Sequence, residues 1–148
     1  MRIPFLLGRL IFGGFFLYNG INHFKQRRTL VKYVIEKKVL APQLAVTASG
    51  VVLVLGGAII LLGIKPKFGT AVVAGFPAAV SPIMHDFWHV DDPGERTNEM
   101  VNFSKNMALL GSTLALMAVE EPWPVSVPVA QPGKVQQVRG SFSRLIAA

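Results

Sequence analysis

Four segments of this chain are long and apolar enough to be predicted as membrane-crossing helices. They occupy residues 3–24, 44–64, 68–88 and 102–119, and polar loops separate them. A helix needs about 20 mostly apolar residues to cross the hydrocarbon core of a bilayer. Backbone groups in that core must bond within their own segment, so the pattern predicts an all-α integral membrane protein, folded as a four-helix bundle.

The composition agrees with a membrane protein and excludes several other classes. Hydrophobic residues make up 51% of the chain and charged residues 16%, compared with about 25% charged in ordinary soluble domains. The formal net charge is +7, but the basic residues cluster beside apolar segments, where lipid headgroups explain them better than nucleic acid does. The chain has no cysteine, which excludes disulfides and thiolate metal sites.

Residues 25–43 are predicted to form a short amphipathic helix on the membrane surface, between the first two spans. The apolar residues Leu30, Val31, Val34 and Ile35 recur near helical spacing and are flanked by lysine and arginine. This is typical of an interfacial helix. A solvated connecting loop is the alternative.

The end of the chain differs from the rest. Residues 1–121 are predicted to form the transmembrane domain, and residues 122–148 an extended or mobile basic tail. The tail begins with prolines and then carries Lys134, Arg139 and Arg144. A short surface helix is expected over residues 135–146.

The polar residues of the spans are predicted to meet at one end of the bundle. Because successive helices alternate direction, the end of the first span, the end of the third and the start of the fourth lie on the same side. The residues there are Asn19, Asn22, His23, His85, Asp86, His89, Lys105 and Asn106. This candidate polar layer includes all three histidines of the protein.

Helical phase predicts which faces turn inward, since residues three or four apart share a side of a helix. Each of three faces combines small residues with polar ones, as expected of surfaces buried between membrane helices. The three sets are Arg9, Gly13, Phe16, Gly20 and His23; Ala71, Gly75, Ala78, Pro82, His85 and His89; and Lys105, Ala108, Ser112 and Ala115. A further row of small residues on the second span contains Ser49, Gly50, Gly56, Gly57 and Gly63.

Three interpretations of the polar layer remain open. In the first, the layer is a proton-linked quinone or redox site, with catalytic candidates His23, His85, Asp86, His89 and Lys105. Trp88, Asn19 and Asn106 would then contact the cofactor. In the second, His85 and His89, four residues apart on one helix face, bind a metal ion. In the third, Asp86 pairs with Lys105 or a histidine and pins the helix ends.

Arg9 is predicted to lie deeper, toward the opposite end of the bundle. Glu120 or Glu121, at the end of the fourth span, is expected on that same side and could pair with it. The alternative is that the guanidinium extends to the headgroups.

The ordered set of span motifs resembles the DoxX family of small bacterial membrane proteins. The matching stretches are GRLIFGGFFLYNGINHF in the first span, LGGAIILLG in the second, PIMHDFW in the third and NFSKNMALLGS in the fourth. They follow in order over residues 8–118. The most specific part of the resemblance is HDFW followed later in the chain by FxKN.

The resemblance implies a four-helix bundle in a bacterial inner membrane, and a link to quinol-oxidase or thiosulfate:quinone oxidoreductase complexes. Other redox subunits, a second copy and membrane lipid are the implied partners, and quinone is the implied cofactor. The positions that match the family's polar motifs are His23, His85, Asp86, Trp88, Lys105 and Asn106. The resulting hypothesis is a subunit of a quinone-linked oxidoreductase; the alternative is a non-catalytic scaffold or anchoring subunit.

Overall fold

The computed structural model describes residues 2–127, and all regular structure in that range is helical. The five α-helices are α1 (Arg2–Lys25), α2 (Arg27–Glu36), α3 (Pro42–Leu62), α4 (Pro66–Met84) and α5 (Pro93–Met117). A short 3₁₀ helix, Phe87–His89, lies between α4 and α5. The all-α prediction is confirmed for this part of the chain.

The helix ends follow from local chemistry. A proline stands in the first turn of α3, α4 and α5, where its missing N–H has no helical partner to lose. Gly63 ends α3 with φ of +68°, a left-handed conformation that glycine adopts without strain. The carboxylate of Asp92 accepts a hydrogen bond of 2.8 Å from the backbone N–H of Glu95 and caps α5.

The long helices pack in the order α1, α3, α4, α5, each against the next, and α2 lies against α3 and α1. Helix α2 is therefore packed on the protein rather than forming a free loop. The buried core contains side chains from three of the long helices and from the segment after α5. Its members are Phe16, Leu53, Ile60, Val73 and Trp123.

Close approach of α1 and α3 depends on glycine. A Cβ built on Gly57 would lie 2.6 Å from the backbone N of Leu17 and 2.8 Å from the carbonyl of Gly13. One built on Gly20 would lie 2.6 Å from the backbone N of Val54. The prediction that small residues on the second span receive a neighbouring helix is confirmed, because those atoms are backbone and cannot rotate away.

Three helical segments are long and apolar enough to cross a membrane: Ile3–Lys25, Pro42–Leu62 and Pro66–His89. Helix α5 is long but less apolar, because it begins at Pro93 and its first turns carry Glu95, Arg96 and Glu99. The four-span prediction is therefore supported for three spans, and neither a fourth crossing nor a closed four-helix bundle is shown.

The predicted inward faces are confirmed on α1 and wrong on α4 and α5. On α1, Arg9, Gly13, Phe16 and Gly20 are buried, and His23, the last member of that set, is half-buried. On α4 the small-residue face is exposed, and the buried residues are Pro66, Gly69, Thr70, Val73, Pro77, Ser81 and Met84. On α5, Lys105, Ala108, Ser112 and Ala115 are all exposed. Helix α4 buries other small residues, such as Gly69 and Ser81, so small-residue spacing alone does not tell a packed face from an open one.

Residues 128–148 lie outside the described residues, and so does the surface helix expected over 135–146. The division of the chain into domains at residue 121 stays a prediction.

Candidate functional site

The polar end of the molecule is built where α2, the end of α4 and the start of α5 meet. Two groups of hydrogen-bonded side chains lie there. The first joins α2 to the segment after α4, since Lys37 Nζ lies 2.8 Å from Asp86 Oδ1. Both side chains are partly buried, so this pair is better shielded from solvent than a surface ion pair.

The second group centres on Glu99 of α5. Its Oε2 lies 2.7 Å from His85 Nδ1, and its Oε1 accepts a 3.2 Å hydrogen bond from the hydroxyl of Tyr33. The same hydroxyl lies 3.2 Å from the carbonyl of Met84. Glu99 is only 8% exposed, and a buried carboxylate requires partners of this kind to offset its lost hydration.

The Tyr33 hydroxyl is held in its protonated form. Burial and the nearby charge of Glu99 raise its pKa to about 12, because both disfavour a phenolate. The hydroxyl therefore acts as a hydrogen-bond donor to Glu99 across the physiological range.

His89 lies at the outer edge of the first group. Its Nδ1 is 3.5 Å from Asp86 Oδ2, and its side chain is 74% exposed. Asp86 therefore bridges a half-buried lysine and an exposed histidine. His89 is therefore in contact with water, whereas Asp86 and Lys37 are farther from solvent.

An aromatic cluster lies beside these groups. The ring of Phe87 packs edge-on against Trp88 and Phe103, at centroid distances of 5.0 and 5.5 Å. Trp88 also packs on Phe103 at 5.8 Å and is 46% exposed. This leaves part of a flat indole available to another planar group or to lipid.

His23 and Asn19 lie in contacts of their own. His23 Nδ1 is 2.8 Å from the carbonyl of Asn19, one turn earlier on α1, and its ring packs edge-on against Phe76. The side-chain amide of Asn19 donates to the carbonyl of Phe15. Neither residue joins the two groups around Asp86 and Glu99 in the described part of the chain.

Of the two expected partners of Asp86, a histidine is confirmed, since His89 Nδ1 lies 3.5 Å from Asp86 Oδ2. Lys105 is wrong, because the lysine that contacts Asp86 is Lys37. Helix α5 starts earlier than the sequence suggested, so Lys105 lies in its middle rather than in its first turn. It is about 9 Å farther along the helix axis than Glu99. Lys105 is exposed and Asn106 half-buried.

The helical HxxxH geometry is also absent. Helix α4 ends at Met84, so His85 caps it and His89 belongs to the 3₁₀ helix. The two histidines consequently do not share a helix face, and they contact different carboxylates. Within residues 2–127 no three His, Asp or Glu side chains are placed to hold a metal ion.

Three residues of the site escaped the sequence reasoning: Tyr33, Lys37 and Glu99. Lys37 is one of several cations in residues 25–43, and spacing could not single it out. Glu99 was assigned to an acidic loop, although Asp92 followed by proline is a helix-start signal that would have placed it on α5.

The opposite end of the molecule is closed around Arg9. Its guanidinium donates to the carbonyls of Pro124 and Val125, at 2.8 and 2.9 Å, and the residue is 3% exposed. The expected pairing with Glu120 or Glu121 is therefore wrong, and so is extension to the headgroups. Glu121 instead accepts a hydrogen bond from the backbone N–H of Lys67.

Comparison with known proteins identifies the family. The DoxX family model matches residues 5–86, which is more than half of the 148-residue chain. The matched region contains α1 to α4 and ends at Asp86, so α5 lies outside it. Searches of curated proteins and of solved structures find no match. With three apolar helices of membrane-spanning length and this match over more than half of its length, the chain is a membrane protein that belongs to the DoxX family.

Proposed function

We propose that the protein is an integral membrane subunit of a quinone-linked redox complex. The observation that carries the proposal is the group formed by His85, Glu99 and Tyr33. Its donors and acceptors lie within hydrogen-bonding distance of one another, next to an exposed tryptophan at one end of the membrane spans.

The residues present fit a quinone on two counts. Trp88 offers a partly exposed planar surface, and His85, which precedes the aromatic cluster, is bonded to a largely buried carboxylate. A quinone, when bound, supplies a couple that exchanges two electrons and two protons. This chain has no cysteine, so its own residues would offer no thiol-based route for those electrons.

The roles of the chain's own residues follow from their contacts. His85 takes or gives a proton at its free ring nitrogen while Glu99 holds its other nitrogen. Tyr33 fixes the orientation of Glu99 through its hydroxyl. His89, exposed and next to Asp86, exchanges protons with water. His23, Lys105, Asn19 and Asn106 would act only if a partner or the quinone ring brings them into the site.

The proposal includes the bacterial inner membrane as location and α5 as a fourth crossing. The supporting observation is that α5 packs along α4, which itself has membrane-spanning length and hydropathy. Only the apolar part of α5, after Glu99, would lie within the membrane. Lys105 is near the start of that part and would reach the headgroups by extending its flexible stem.

A scaffold or anchoring role is the second candidate. Three of the polar contacts at this end join separate elements: α2 with the segment after α4, α2 with α5, and the end of α4 with α5. Such contacts hold the helix ends together whether or not the site is catalytic. The exposed small-residue faces of α4 and α5 would suit a partner helix.

One experiment separates the two functions. The protein is purified with its native partners in mild detergent, quinone is extracted and quantified, and quinol oxidation by the complex is measured. The variant H85A, with D86N as a second variant, should lower the rate by about 10²-fold or more while the complex stays assembled. The control is D91N, a neighbouring exposed acid outside both groups.

Absence of quinone from the complex, together with full activity of H85A, would exclude the redox proposal. Loss of the partner from H85A and D86N, with no loss of specific activity in the complex that remains, would favour the scaffold.

A further inference from the structure

Helix α2 connects two helices of membrane-spanning length. It follows α1 after a single residue, since α1 ends at Lys25 and α2 begins at Arg27. The next span begins at Pro42. A segment held between two membrane-spanning helices, and packed against both, lies at the boundary between hydrocarbon and water.

The outer side of α2 contains a crevice with a volume of about 380 Å³, partly open to solvent. The residues that line it are Arg28, Thr29, Lys32, Tyr33 and Glu36. Three of them, Arg28, Lys32 and Glu36, are spaced four apart and therefore form one row along the helix. All five lining residues belong to α2, so the crevice is shallow and runs along one helix.

The charges in this row form no ion pair with the part of the chain that the structure describes. Within residues 2–127, the ion pairs involve Lys37, His85 and His89 with Asp86 and Glu99. Arg28, Lys32 and Glu36 are exposed and belong to none of those pairs. Tyr33 differs from these three charged residues. Its hydroxyl contacts Met84 and Glu99, so its ring is held in place and forms one wall of the crevice.

Two cations followed by a carboxylate along α2 indicate which charges a complementary ligand would carry. Two cations one turn apart can bind the oxygens of a phosphate, with the Thr29 hydroxyl as a further donor. A carboxylate one turn farther along suits an ammonium group. Exposed apolar side chains lie on either side of Glu36 in the chain, at Ile35 and Leu40, where acyl chains of a lipid would lie.

We propose that this crevice binds a membrane phospholipid through a phosphoethanolamine headgroup. The phosphate lies between Arg28 and Lys32, and the primary ammonium donates to Glu36. A choline headgroup has no N–H to donate, and a headgroup with only negative charge gains nothing from Glu36. The proposal does not depend on the redox function.

The test measures lipid retained by the purified full-length protein. The protein is exchanged into nanodiscs containing equal amounts of phosphatidylethanolamine, phosphatidylglycerol and phosphatidylcholine, then extracted in mild detergent, and bound lipid is quantified by mass spectrometry. We expect phosphatidylethanolamine to dominate. The double variant R28A/K32A should retain roughly tenfold less of it, as expected for the loss of charge-assisted contacts.

Two further variants make the test specific. E36Q should keep phosphate binding but remove the preference for ethanolamine over choline. If R28A/K32A fails to fold, E36Q alone still tests the proposal. K25A/R27A removes the same charge from the same membrane end outside the crevice, so it should retain lipid like the wild type. Equal loss in K25A/R27A, retention by R28A/K32A, or an unchanged headgroup preference in E36Q would each overturn the proposal.

Discussion

Glu99 shows why single residues of the site were hard to find from sequence. In the chain it is one of five acids within residues 86–99, and nothing in its neighbours marks it. In the fold it is the only one of those acids that is buried, where His85 and Tyr33 bind its two oxygens. A long-range pairing of this kind depends on the packing of α2 and α5, which local patterns do not encode.

The variant E99A should destabilise the protein by about 1–3 kcal/mol, because it leaves two partners without an acceptor in a partly buried place. Thermal unfolding in detergent is the measurement. D91A, which removes an exposed acid from the preceding loop, is the control and should change stability by less than about 0.5 kcal/mol. Equal unfolding midpoints for E99A and the wild type would show that Glu99 is not held as described.

The raised pKa of Tyr33 predicts a late step in an alkaline titration. Absorbance at 295 nm should show one tyrosine that ionises near pH 12, and this step should vanish in Y33F and remain in Y18F. A raised pKa in the folded state means that the protonated hydroxyl contributes stability below about pH 10, the ordinary tyrosine pKa. That contribution is lost as the pH rises toward 12.

The matched variant for this titration is E99Q. It removes the charge of Glu99, which is one cause of the shift, so Tyr33 should ionise at lower pH than in the wild type. Burial is the larger cause and remains in place. An unchanged titration in E99Q would contradict the contact between the two side chains.

At the scale of helices, the sequence predicted membrane segments better than it predicted their inward faces. Length and hydropathy located three spans within a few residues, since the bilayer imposes both. The glycine rows of α1 and α3 were recognised as packing surfaces, but the similar row through Gly75 on α4 is open. In lipid a small residue is tolerated on either side of a helix, so spacing alone could not decide.

The contrast between Gly57 and Gly75 gives a prediction for helix packing. G57A adds a methyl group that meets backbone atoms of α1 at 2.6 and 2.8 Å, so the helices must separate, at a cost of about 1–3 kcal/mol. G75A meets nothing within 4 Å and should be neutral or slightly stabilising, as alanine is favoured over glycine within helices. Both are measured by thermal unfolding, and similar losses in the two variants would contradict this packing.

At the scale of the whole molecule, the two ends are closed by different means. One end is held by the ion pair and hydrogen bonds around Asp86 and Glu99. The other is covered by the closing segment, residues 122–127, whose Val127 N–H donates to the carbonyl of Leu62. Sequence reasoning placed this segment in an extended tail because prolines flank Trp123, and it could not foresee that a buried arginine would bind the carbonyls.

Trp123 tests whether the closing segment is part of the fold. It is 2% exposed, belongs to the core and packs edge-on against Phe5 at 5.3 Å. W123A should therefore destabilise the protein by about 3–5 kcal/mol, as for other buried aromatic residues. V125A, whose side chain is 75% exposed, keeps the carbonyl that binds Arg9 and should unfold within about 0.5 kcal/mol of the wild type.

A fluorescence measurement on the same variants makes the result specific to this end. The protein has two tryptophans, and of these Trp88 is half-exposed and Trp123 buried. In the wild type, a soluble quencher such as iodide should reach only part of the emission, and W123A should remove the protected part. If all emission were quenched alike and W123A unfolded like the wild type, the segment would not be docked, and Arg9 would need another partner to offset its burial.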